Sequence, residues 1–124
     1  MVGDDGIRMA IEHREAGVAV VALAGEIDTW NLPTLRESLN ALPDDGVRHL
    51  VLDLSGVEFL ESGGLSVMIE LYKRLQRDGG SLTLAAVPGW LRQVLATTGL
   101  EHILPAHLDV PTALAKVLPG PSSD

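Results

Sequence analysis

The stretch Leu50–Leu75, LVLDLSGVEFLESGGLSVMIELYKRL, constrains the fold more than any other part of the chain. It opens as a nearly continuous apolar run, His49–Leu54, of the kind found in a strand buried on both faces. Ser55–Leu60 reads as a connecting loop that keeps some apolar side chains. From Leu65 the pattern changes period: Leu65, Met68, Ile69, Leu71, Tyr72 and Leu75 mark one face of a helix. Lys73, Arg74 and Arg77 fall in its last turn, favourable against the helix dipole, and Gly79-Gly80 stops it. A strand feeding a helix in this way needs a crossover, so the next strand should lie parallel to it.

The rest of the chain fits around that unit. Ile7–Glu15 alternates apolar and polar residues and reads as an edge strand; Ala16-Gly17 reads as a turn, and Val18–Ala24 as a more buried second strand. Trp30, Leu32, Leu35, Leu39 and Leu42 recur at helical spacing, giving a helix over Thr29–Leu42 with Asp28 or Thr29 as its N-cap. Pro43-Asp44-Asp45-Gly46 ends it by turn chemistry. Ser81–Ala86 is a further strand and Pro88–Thr98 a third helix. Leu100–Leu104 is either a brief strand or a helix-to-strand connection, and Val110–Leu118 is a last helix. Residues 1–6 and 119–124 read as loose ends around one domain over 7–118. The order predicts an α/β fold with a mixed, mostly parallel sheet of four to five strands and four helices. The strand ends would gather the loops at residues 24–30 and 55–64.

At 124 residues and 46% hydrophobic composition, one core without staples is enough. Cysteine is absent, so neither a disulfide framework nor a thiolate metal site is available. The net charge of −8, with nine Lys+Arg, speaks against nucleic acid and against an anionic membrane surface. No apolar run approaches the ~18–20 residues that span a bilayer. The acidic N-terminus is unlike a signal peptide, so a cytoplasmic protein is expected.

The chemistry-bearing candidates meet at Glu61-Ser62-Gly63-Gly64, where strand pattern turns into helix pattern. Ser62 is placed to cap the helix, ahead of backbone N–H groups that suit an anion. Glycines at the first two helical positions are poor helix formers, leave the serine uncovered and let another backbone approach. These residues leave both a plain cap and a functional serine open. A nucleophile elbow needs glycine two residues before the serine, where Leu60 stands. A phosphate-binding G-x-x-x-x-G-K-S/T loop and a G-x-G-x-x-G fingerprint are missing, and His13, His49, His102 and His107 are scattered. No enzyme activity, metal or cofactor is therefore expected.

The residues also resemble a family. AGEIDTWNLPTLRESL, VLDLSGVEFL, the acid–Ser–x–Gly–Leu elbow and the late ATTGL together look like a STAS domain, specifically a bacterial anti-sigma factor antagonist, over Ile7–Leu118. The resemblance implies a domain that binds an anti-sigma factor, a serine kinase of GHKL type, and so frees a sigma factor. It implies that the kinase phosphorylates Ser62 to end the complex and that a phosphatase reverses the step. It puts Gly25, Glu26, Asp28, Glu61, Ser62, Gly63, Gly64 and Leu65 on the partner-facing surface. At the elbow the family often has Asp-Ser-Ser-Gly; this chain has Glu61-Ser62-Gly63-Gly64. The same fold would also suit an interaction subunit of another assembly, a lipid-transport accessory or a stressosome-like scaffold.

Overall fold

The computed structural model describes residues 6–117. Five strands form one sheet in the order β1-β2-β3-β4-β5: β1 (Ile7–His13), β2 (Val18–Ile27), β3 (His49–Leu60), β4 (Ser81–Ala85) and β5 (Ala106–His107). Among the described residues four α-helices pack on the sheet, three of them between strands and the last after β5: α1 (Leu32–Asp44), α2 (Ser62–Arg77), α3 (Gly89–Thr98) and α4 (Val110–Val117). β1 pairs antiparallel with β2, through a turn at Ala16-Gly17 with positive φ at both residues. Every other neighbouring pair is parallel. This is the predicted single α/β domain with a mixed, mostly parallel sheet.

Strand alternation sorts the core into two layers. Ala19, Val21, Leu50, Leu52, Leu82 and Leu84 face α1, α2 and α3, where Leu35, Leu39, Val67, Leu71, Leu75, Leu91 and Leu95 meet them. Val18, Val20, Val51 and Ala85 face the other way and are covered by Ala113 and Leu114 of α4. β3 is therefore covered on both faces, which explains its continuous apolar run.

Several boundaries differ from the sequence expectation, each for a local reason. Ser55–Leu60 is not a loop: β3 continues through it to Leu60. The pairing with β2 slips twice, between Ala22 and Ala24 and between Gly25 and Glu26, each time with an extra residue on β3. These bulges stretch the inward-facing spacing from two to three, through buried Leu54 and Val57 and half-buried Leu60, and so hide the strand from a period-two search.

α1 begins at Leu32, not Thr29, and neither Asp28 nor Thr29 is its N-cap; Asn31 is. Asp28 instead accepts hydrogen bonds at Oδ1 from the N–H of Trp30 (3.0 Å) and of Asn31 (3.1 Å), a side-chain turn that delays the helix. Trp30 is consequently off the buried helix face and 88% exposed. At its other end α1 runs through Pro43 to Asp44.

The 100–104 segment is a short 3-10 turn, Leu100–His102, followed by the two-residue β5, too short to leave a pattern. Gly6 is tied to the sheet, its carbonyl accepting from the N–H of Glu26 at 3.0 Å. The remaining expected loose ends, residues 1–5 and 119–124, and the expected last helical residue, Leu118, lie outside the described residues.

Candidate functional site

The carboxyl ends of β2 and β3 lie side by side, with Ile27 opposite Leu60. The loop after β2 and the start of α2 are therefore neighbours. A hydrogen bond from the N–H of Glu61 to the carbonyl of Ile27, 2.8 Å, locks the turn into α2 against the end of β2.

Glu61 occupies the position expected for Ser62. It is the N-cap of α2, in extended conformation, and its Oε1 accepts from the N–H of Gly63. Its Oε2 accepts from the Thr29 hydroxyl at 3.0 Å. One carboxylate thus caps the helix and bridges to the β2–α1 loop. Ser62 is the first helical residue, and its side chain is exposed. Freed from the capping role, its hydroxyl stands at a helix N-terminus, where the backbone dipole favours added negative charge.

The glycines serve packing more than access. A Cβ on Gly64 would lie 2.3 Å from Leu60 Cδ1 and 3.3 Å from Ile27 Cγ2, so this buried glycine lets α2 sit down on the strand ends. A Cβ on Gly63 would lie 2.7 Å from Glu61 Oε1 and 2.5 Å from Leu32 Cδ1. The longer acid at 61 and the missing side chain at 63 therefore fit one another. Gly25 is buried at φ +100°, with a Cβ there 2.1 Å from the Gly6 carbonyl oxygen; it belongs to the β1–β2 contact. Of the residues expected on a partner-facing surface, Gly25 and Gly64 are buried. Ser62 and Glu26 are exposed, and Asp28, Glu61, Gly63 and Leu65 are half-buried.

The loop carries residues that the helical periodicity obscured. Asn31, fully buried, donates from Nδ2 to the Glu26 carbonyl at 2.8 Å and accepts the Asp28 N–H at Oδ1, 3.0 Å. In return, the Asn31 N–H donates to Asp28 Oδ1 at 3.1 Å. The spacing Asp28-x-x-Asn31 was the available signal for this reciprocal box. The signal for Trp30 was that Leu32, Leu35, Leu39 and Leu42 complete a helix face without it.

The histidines do not converge on Ser62. His49 bonds Ser81 Oγ at 2.9 Å, and His102 lies 3.8 Å from Glu101. Among the described residues no group of three or more His, Asp or Glu side chains is arranged to hold a metal ion. None of their helices is long and apolar enough to cross a membrane.

Comparison with known proteins agrees with this fold. The STAS domain family profile matches residues 9–113. The anti-sigma-B factor antagonist of Bacillus subtilis strain 168 is 37% identical over 98 residues, covering 79% of this chain and 88% of the relative. The anti-sigma F factor antagonist of Paenibacillus polymyxa is 29% identical over 112 residues, covering 90% and 95%. The crystal structure of an anti-sigma factor antagonist from Mycobacterium paratuberculosis superposes with a TM-score of 0.82 at 32% identity, covering 94% of this chain and 98% of that one.

Proposed function

Because this chain belongs to the STAS domain family, we propose that it is an anti-sigma factor antagonist, a binding protein that holds an anti-sigma factor and thereby frees a sigma factor. Its partner is a GHKL-type serine kinase that transfers phosphate from its own ATP to Ser62, and a phosphatase restores the hydroxyl. The protein acts in the cytoplasm, where the kinase finds ATP.

The observation that carries this reading is the division of labour at the elbow. Glu61 takes over the helix cap, and Ser62, one residue on, is exposed with no capping duty. Phosphorylation would add about −1.5 to −2 charge there without removing any contact that holds α2 in place. A partner surface shaped for a neutral hydroxyl would meet bulk and charge instead. Glu61 adds to the effect, since its carboxylate is fixed beside the new phosphate by Thr29 and by the Gly63 N–H. Like charges brought together at an interface cost several kcal/mol. Binding can therefore reverse while the fold stays as it is.

The test is intact-mass analysis after incubation with ATP and each purified GHKL-type anti-sigma factor of the same organism. One of these should add a single phosphate to the wild type and none to Ser62→Ala. A wild type left unmodified by kinases shown to be active, or a Ser62→Ala variant that still gains phosphate, refutes the switch.

A further inference from the structure

We propose that Trp30 is the anchor by which this chain docks on its anti-sigma factor, filling an apolar pocket rimmed by basic side chains; this rests on the reading above that such a partner covers the Ser62 face. Trp30 is 88% exposed. Tryptophan left in water forgoes a large burial gain, and it is the residue type most enriched among the few that carry interface energy. Leu108 is similarly exposed, but it follows β5, two strands across the sheet from β3.

The backbone that presents Trp30 is fixed on both sides. Its own N–H donates to Asp28 Oδ1. Thr29 before it is tied to Glu61, and Asn31 after it is buried and bonded to Glu26 and Asp28. An aromatic side chain on a loop already held in one conformation loses little freedom on binding, which suits it to an anchor. The Thr29–Glu61 bond also joins this loop directly to the residue before Ser62. One partner covering Ser62 would therefore meet the tryptophan loop as well. Half-exposed Phe59, paired across from Glu26 in the β2–β3 ladder, is a second apolar side chain at these strand ends.

Charge selects the occupant. Glu26 and Glu58 are exposed at these strand ends, Glu61 and Asp28 are half-exposed beside them, and the whole chain carries −8. A second copy docking through the same face would set acids against acids, and nucleic acid or an anionic membrane would be repelled. A protein pocket with basic walls is the complementary surface.

The test is calorimetric titration of each purified GHKL-type anti-sigma factor of the same organism, with ADP present so that no phosphate is transferred. Trp30→Ala should bind about 30-fold or more weakly than wild type, the threshold of an interface hot spot. Trp30→Phe should fall between them, and Trp90→Ala, altering a 41% exposed tryptophan on α3, should bind like wild type. The urea midpoint of Trp30→Ala should match wild type, which separates lost docking from lost fold. In a Trp90→Phe background, Trp30 emission should shift to the blue on binding. Wild-type binding that Trp30→Ala leaves unchanged overturns the anchor and leaves the proposed function standing. Failure of the wild type to bind any of these factors overturns both. Concentration-dependent self-association that Trp30→Ala abolishes would make a second copy the occupant and also overturn the proposal.

Discussion

At the scale of single residues, the elbow works because Glu61 and Gly63 share one space. Glu61 Oε1 lies where a side chain on residue 63 would begin. Gly63→Ser should therefore push the Glu61 carboxylate off its cap and destabilise the fold by about 1 kcal/mol, the usual worth of an N-cap. Glu61→Asp shortens the acid and gives up the reach to Thr29. The double variant Glu61→Asp/Gly63→Ser should be more stable than the sum of the two single losses, because the shorter acid leaves room for the serine. Urea denaturation of all four proteins gives the coupling, expected at about 0.5 kcal/mol or more. Strict additivity would mean that the two positions do not compete.

At the scale of elements, two parallel strands ending together set the site, and their ends were the hardest part to read in the sequence. Helix faces and the buried strand pattern were legible because burial repeats with a fixed period. The end of β3 was not, because each bulge breaks the period while leaving the residues in the sheet. The start of α1 was misplaced because an Asp28–Asn31 side-chain box competes with helix initiation, and periodicity says nothing about such bonds. α4 covers its face of the sheet with Ala113 and Leu114. Asp109 precedes it and accepts the Thr112 N–H at 2.9 Å. Thr112, through its hydroxyl first and its N–H second, holds the Asp109 carboxyl below its ordinary value of 3.8. A carboxyl lowered by folding stabilises fully above its unfolded value and loses that contribution as pH falls through the lowered one. Hydrogen exchange, corrected for intrinsic rate, should show α4 amides losing protection in that acid range. Asp109→Asn, which caps without titrating, should remove the step; an unchanged step would assign it to another group.

At the scale of the whole molecule, class and site were legible for different reasons. The α/β architecture followed from the order of periodic segments. The neighbourhood of Ser62 and the Gly25–Asp28 segment followed from the strand order, which gathers these loops at one end of the sheet, and the ladder that sets Ile27 beside Leu60 is its physical form. What each motif residue does could not be read the same way. Gly25 and Gly64 are buried spacers, Glu61 is the cap, and Trp30 is a surface residue, because those roles depend on which atoms the fold brings within a few ångströms. The central claim is that charge on one exposed hydroxyl reverses binding in a domain that keeps its shape. It is tested most directly by preparing the chain phosphorylated at Ser62 and titrating it, beside the unmodified chain, against the anti-sigma factor that modifies it, with ADP bound. We expect matching circular dichroism spectra and an affinity about 100-fold or more weaker for the phosphorylated chain. Equal affinities, or a loss of binding accompanied by a loss of folded signal, would contradict the claim.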